Sequence, residues 1–272
     1  MQGISDFIPT EEKVNYLNHL LKVGFDTLDF GSFVSPKAIP QMRDTREVLN
    51  GLNLPSNTHL LAIVANKRGA EDASQFEQIQ YLGFPLSISE TFQQRNTNSS
   101  IKESLDVVRS IREICEKVGK TQVVYLSMGF GNPYGDPYSP EVVEHFVEML
   151  AVEGIQIISL ADTIGTSTPE LIHSLFSSLI SGYPEIEFGA HLHSTPDSAT
   201  EKINAVIDSG CQRMDGALLG YGGCPMAKDD LTGNLDTAAI ANILDQKNDL
   251  SLDKGQLKAA KLAAQSIFSK YI

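Results

Sequence analysis

Residues 155–194 read IQIISLADTIGTSTPELIHSLFSSLISGYPEIEFGAHLHS. Residues 155–163 form an apolar run of strand length, and from Thr168 the apolar residues recur with the spacing of an amphipathic helix opened by a Thr cap. A second strand-like run fills 187–194. The stretch is therefore a βα unit leading into the next strand. The same alternation extends outward, with strands expected at 27–33, 59–66, 80–89, 122–130 and 213–220. Helices are expected to begin near Thr10, Gln41, Ser99, Ser139, Thr195 and Asp236, and a short one at 69–75. Polar, glycine-rich clusters follow the strand ends: GSFVSPK, ANKRG, SETFQQRN, GFGNPYGDP, ADTIGTSTP, HLHSTPD and GYGGCPMAKDDLTGN. This pattern predicts an α/β chain of the TIM (β/α)8 barrel type, with its site on the rim those clusters form. A doubly wound open sheet is the alternative, but no strand runs into a Gly-x-Gly-x-x-Gly turn. A complete barrel has eight strands and this sequence has seven candidates, opening on a loop that runs straight into a helix. A first strand is thus expected to be missing from the chain.

The length of 272 residues suits one barrel domain spanning 1–272, and 253–272 reads as a last amphipathic helix that either covers the barrel or joins a partner subunit. A homo-oligomer stays open as an expectation. A net charge of −13 with scattered Lys and Arg speaks against a nucleic-acid partner. No apolar run approaches the roughly 20 residues of a membrane span, and the polar start MQGISDF is no signal peptide, so no membrane association and a cytoplasmic or organelle-matrix location are expected. Cys115, Cys211 and Cys224 are odd in number and lack paired metal spacing, so free thiols are expected.

His191 and His193 end the strand at 187–194, and the two-residue period of a strand turns both imidazoles to one face. A pair of histidines often only caps or packs a strand; at the catalytic end of a barrel strand, both can reach one ion. Asn234, at the junction into the helix after the last strand, adds an amide oxygen, although alone it would read as a helix cap. Histidine and oxygen ligands together suit a divalent cation of the Mg2+ or Mn2+ class. Cys224 lies in the glycine-rich run Tyr221-Gly222-Gly223-Cys224-Pro225 and is either a mobile thiol that moves a proton or a small residue in a tight turn. Asp162, in LADTIG, either orients a ligand and relays protons or caps the following helix, where Thr166 to Thr168 already offer caps. Asp29 is a charge inside a strand, expected to face the polar rim or barrel interior near Ser32 and Lys37.

The motifs SFVSPKAIPQM, LADTIG, HLH, GYGGCPMA and LTGN occur in this order along nearly the whole chain. In this set the sequence resembles the 3-hydroxy-3-methylglutaryl-CoA (HMG-CoA) lyase family, and SFVSPK with GGCP sets it apart from other barrels of the same metal-dependent superfamily. The resemblance implies a TIM barrel, a divalent metal ion (Mg2+ or Mn2+), an acyl-CoA substrate, and cleavage of HMG-CoA to acetyl-CoA and acetoacetate. It places His191, His193 and Asn234 on the metal, and makes His191, Asp162 and the mobile-loop Cys224 the catalytic set. Gln2, Asp29, Ser32 and Lys37 fall on the substrate side; separately, Lys37, Lys67, Arg68 and Arg95 are rim-loop candidates for CoA phosphates, with plain surface solvation the commoner role for any one of them. Of the family's opening Arg-Asp-x-x-Gln only Gln2 is present, so an arginine, an acidic ligand and the first strand are expected upstream of Met1. Ser194-Thr195-Pro196-Asp197 stands where the family usually has Asp-Thr-Tyr-Gly, Asp29 where it often has Glu, and Ala238 in place of a frequent Glu. Two other readings remain: an acetyl-CoA-dependent condensing synthase of the same superfamily, against which GGCP argues, and a barrel that has lost catalysis and serves as a binding protein.

Overall fold

The computed structural model describes residues 1–54, 57–222 and 232–271. Its strands are β1 (Thr27–Ser32), β2 (His59–Ile63), β3 (Ile79–Ser87), β4 (Thr121–Ser127), β5 (Ile157–Asp162), β6 (Glu187–Leu192) and β7 (Arg213–Met214). They pair in parallel in chain order, from β1 at one edge to β7 at the other. Around them run α1 (Thr10–Leu21), α2 (Thr45–Asn50), α3 (Lys67–Ser74), α4 (Glu90–Thr97), α5 (Ile101–Val118), α6 (Pro140–Val152), α7 (Pro169–Gly182), α8 (Pro196–Asp208), α9 (Thr237–Gln246) and α10 (Lys254–Phe268). Parallel neighbours joined by helical crossovers, added to the strand twist, curl the sheet into a barrel wall. All seven expected strands are present, and the described residues contain one strand fewer than eight.

Two apolar layers follow from strand alternation. Outward residues such as Phe84, Val124 and Ile158 meet helix residues such as Phe176 and Ile203 in the main core. Inward, Leu61, Val123 and Ile157 pack with Ile63, Tyr81 and Tyr125 in a small plug. Tyr125 marks where the plug gives way to polar groups, and the site begins there.

Three local expectations need correction. SETFQQRN is not a rim loop but holds α4, because the Ser89 hydroxyl accepts from Phe92 N (3.1 Å) and the Asp136 carboxylate takes Thr91 N (2.9 Å) at the same helix end. The helix expected from Gln41 starts at Thr45, since Gln41 is spent tying the N-terminal segment down. Its amide accepts from Ile8 N (2.9 Å) and donates to the carbonyls of Ile4 (3.1 Å) and Asp6 (2.9 Å), and Lys13 pairs with Asp44 beside it at 2.7 Å. The last strand stops at Met214 instead of reaching Gly220. Gly216 runs so close to α9 that a Cβ there would lie 2.9 Å from both Ile240 and Thr237.

The C-terminal helix α10 lies on α1 of the same chain. Tyr16 and Phe268 meet edge to face at 5.1 Å, and Lys270 pairs with Glu12 at 2.9 Å. Among the described residues no helix is long and apolar enough to cross a membrane.

Candidate active site

Strand β6 presents His191 and, at the residue after its end, His193 to the same side, with ring centroids 5.7 Å apart. Each ring is held through Nδ1. In His191 that nitrogen faces Asp215 Oδ2 at 3.0 Å; in His193 it faces the Thr163 carbonyl at 2.9 Å. Both partners are acceptors, which places a proton on Nδ1 of each ring and, in the neutral form, leaves the Nε2 lone pair free. Asn234 comes to His193 through backbone pairing and places its side chain within hydrogen-bonding reach of the ring. Its amide nitrogen is engaged by the Tyr221 carbonyl (3.3 Å), which leaves the amide oxygen as the free acceptor. The approach requires glycine at 222, where φ is +131° and a Cβ would sit 2.1 Å from the Asn234 amide nitrogen.

Below the histidines lies a charged group of which the sequence reading held only Asp29. Asp215, just past β7, accepts from His191, and the Tyr125 ring stands edge-on to His191 at 5.5 Å, its hydroxyl kept protonated by burial and by the Asp215 charge. Arg213 pairs with Glu187 at 3.0 Å and lies 5.5 Å from the Tyr81 ring. It packs over Gly189, where a Cβ would come within 3.0 Å of its side chain. Asp29 approaches from β1, close enough for its charge to act on His191. Desolvation by the surrounding barrel wall, followed by the nearby Asp215, pushes its carboxyl up to about 7, but the side chain is exposed, so water weakens the desolvation part of that rise.

The two rings differ in charge. Burial lowers the His193 pKa to about 4, with the neighbouring His191 adding to the effect, so this ring is neutral at physiological pH. Burial also works against a proton on His191, but the Asp215 hydrogen bond and charge, with Asp29 beyond, more than offset it and the pKa lies above its usual value.

Asp162 is 1% exposed and fully engaged. Its oxygens accept from Thr166 N (2.9 Å), Ser167 N (3.0 Å), the Ser167 hydroxyl and Lys202 Nζ (3.0 Å). These contacts use its lone pairs within the protein and match the helix-capping alternative read from the sequence. Ser32 is 5% exposed with its hydroxyl unpartnered, as a ligand-binding position would be. Gln2 and Lys37 are exposed, the latter on the loop after β1, and neither is drawn into the histidine group. Of the rim cations, Lys67 lies 3.9 Å from Glu71, and Arg95 stacks at 4.5 Å over Tyr134. Cys224 lies outside the described residues. Asp215 and Tyr125 were missed, although alternation on β7 puts Arg213 and Asp215 on one face, a signal open to reading.

Paired histidines with carboxylates beside them at the C-terminal end of a parallel barrel define a barrel enzyme. The chain belongs to the HMGL-like family, whose sequence profile matches residues 1–266. It is 33% identical over 264 residues to the hydroxymethylglutaryl-CoA lyase of Bacillus subtilis (strain 168), covering 96% of this chain and 87% of that protein. It is 31% identical over 244 residues to the 3-hydroxy-3-isohexenylglutaryl-CoA/hydroxy-methylglutaryl-CoA lyase of Pseudomonas aeruginosa, with 90% and 81% covered. Its fold matches the A. baumannii HMG-CoA lyase in complex with coenzyme A and 3-methylmalate with a TM-score of 0.91 at 28% identity, covering 98% of this chain and 87% of that one.

Proposed function

We propose that this protein is a lyase that cleaves HMG-CoA to acetyl-CoA and acetoacetate, and that His191, His193 and Asn234 hold the divalent cation the reaction uses. The observation that carries the reading is the pair of Nε2 lone pairs on β6, each fixed by an acceptor on Nδ1, in a chain of the HMGL-like family. The residues fit a cation. His193 is neutral at physiological pH, and the Asn234 side chain lies within hydrogen-bonding reach of its ring, so an imidazole nitrogen and an amide oxygen are available together to a shared cation. Mg2+ or Mn2+ suits this nitrogen and oxygen set, and bound there it would acidify the substrate's tertiary hydroxyl.

The chain's own groups supply the rest. Asp215 and Thr163 keep the imidazoles from rotating. The His191 neighbourhood supplies the base, and Asp29, with an acidity near neutrality, is the group in it matched to taking the hydroxyl proton. As that proton leaves, the hydroxyl oxygen closes to the ketone of acetoacetate, and the bond between C2 and C3 breaks with its electron pair passing into the thioester enolate. Protonation at C2 then gives acetyl-CoA, a step we assign to Cys224. Ser32 offers an unpaired hydroxyl to the acyl group, and the coenzyme A held by the A. baumannii enzyme supports an acyl-CoA occupant here. Asp162 acts by positioning alone.

The test is to supply HMG-CoA with Mg2+ or Mn2+ and measure acetoacetate and acetyl-CoA together. Equal amounts of both, abolished by chelation, support the proposal. Free CoA released from acetyl-CoA in the presence of a 2-oxo acid, with no cleavage of HMG-CoA, would replace it with the condensing reaction.

A further inference from the structure

Helix α8 carries one cation into the protein. Along it Ala199, Lys202, Ile203 and Val206 form the buried stripe, and the Lys202 side chain is 4% exposed. A buried ammonium has three protons to place. Here all three are placed at 3.0 Å: on Asp162 Oδ2, on the Gly165 carbonyl and on the carbonyl of His193 itself. Asp162 in turn gathers the Thr166 and Ser167 amides, which fixes the turn after β5. That turn contains Thr163, whose carbonyl holds the His193 ring and whose hydroxyl accepts from Met128 N at 2.9 Å.

We infer that Lys202 is a positioning residue for His193, acting on it from two sides. It clamps the histidine's main chain directly, and through Asp162 it clamps the carbonyl that selects the ring's tautomer. The charge of Lys202 is balanced within the same unit by Asp162, so the clamp leaves no charge facing the substrate. The inference builds on the proposed function only where it concerns the cation; its effect on the ring holds for the protein alone.

The test uses the double variant Asp162→Asn with Lys202→Met, which removes both charges at once and avoids stranding a buried carboxylate. Lys202→Arg serves as a conservative partner. The first readout is the nitrogen-15 signature of the His193 ring in metal-free protein at neutral pH. The second is the Mn2+ dissociation constant from titration calorimetry. In the unaltered protein the ring should be a single Nδ1–H tautomer. In the double variant it should become a mixture, and Mn2+ should bind roughly 10- to 100-fold more weakly. Lys202→Arg should recover part of both effects. A folded double variant that keeps the single tautomer overturns the inference. If the tautomer scatters as expected but neither protein binds Mn2+, the positioning role stands and the cation assignment is the part that fails. A double variant too unstable to fold moves the comparison to Asp162→Asn alone, which loosens the hold on the turn carrying Thr163; there an unchanged tautomer and unchanged Mn2+ affinity count against the clamp.

Discussion

Two imidazoles two residues apart on one strand sit in unlike surroundings. His191 faces the barrel interior, 34% exposed, beside Asp215, Tyr125 and Asp29, and its pKa is raised. His193 is 4% exposed at the rim, braced by backbone carbonyls and the Asp162–Lys202 pair, and its pKa is lowered to about 4. The strand period explains why they share a direction; the elements on either side explain why they differ. Next to β6 on one flank, the short β7 sends Asp215 inward. On the other flank the turn after β5 offers only a main-chain carbonyl to the ring. A carboxylate partner makes a ring basic and responsive to charge, whereas a carbonyl partner in a buried place keeps it neutral and fixed. In the proposed function, His191 would therefore take part in proton chemistry around the cation, and His193 would stay a constant ligand.

The most severe way to break this comparison is to remove each ring in turn. His191→Ala should lower kcat for HMG-CoA cleavage on the order of 10³-fold even at saturating Mg2+, because it removes a ligand and disturbs the base group together. His193→Ala should be rescued in part by raising Mg2+. Equal losses with equal rescue would mean the two rings are interchangeable.

Next in size is the brace. Lys202→Met alone leaves Asp162 as an unpaired buried carboxylate and should destabilise the protein by about 3–5 kcal/mol, read as a fall in the urea midpoint. A change no greater than that of an exposed charge would show that the rim around His193 is not held by this pair.

Smaller is the effect of crowding Asn234. Gly222→Ala places a Cβ against the Asn234 amide at a φ of +131°, with an expected strain of about 1–3 kcal/mol and weaker Mn2+ binding at an otherwise native circular dichroism spectrum. Unaltered Mn2+ affinity would detach Asn234 from the cation.

The gentlest probe is pH. The unfolded chain protonates the His193 ring near 6.5 and the folded protein only near 4, so the unfolded state binds more protons in that window. The contribution of this ring to stability is therefore complete above 6.5 and is lost as pH falls toward about 4. His193→Asn should flatten the stability–pH curve there by about one proton's worth of slope. Asp29 has the opposite sign: its raised carboxyl favours the folded state at low pH, and that contribution is lost as pH rises from 3.8 through about 7. Asp29→Asn should remove this decline below neutrality while lowering kcat.

The barrel was legible because strand and helix periods alternate along the chain, and all seven strands fall within the apolar runs, the last of them much shorter than its run. The histidines and Asn234 were legible for the same reason, since period and strand-end position place them. What stayed hidden depends on partners far apart in sequence. Asp162 looks free as a sequence and is consumed by a lysine 40 residues on. Lys202 on a buried helical stripe was a readable anomaly, because an apolar face admits a cation only when something pairs it. Helix α4 was hidden in a polar segment because Asp136, 45 residues from Thr91, supplies its second cap.

The most direct measurement is a Mg2+ titration of HMG-CoA cleavage by the purified protein, expressed with any residues that precede Met1 in its reading frame, beside the same titration of His193→Ala. The expected result is acetoacetate and acetyl-CoA in equal amounts, saturating with Mg2+, and a His193→Ala curve displaced to higher Mg2+ by about tenfold or more, on the order of the loss expected when a ligand's support is removed. Cleavage that proceeds undiminished in chelator, or two curves that coincide, would contradict it.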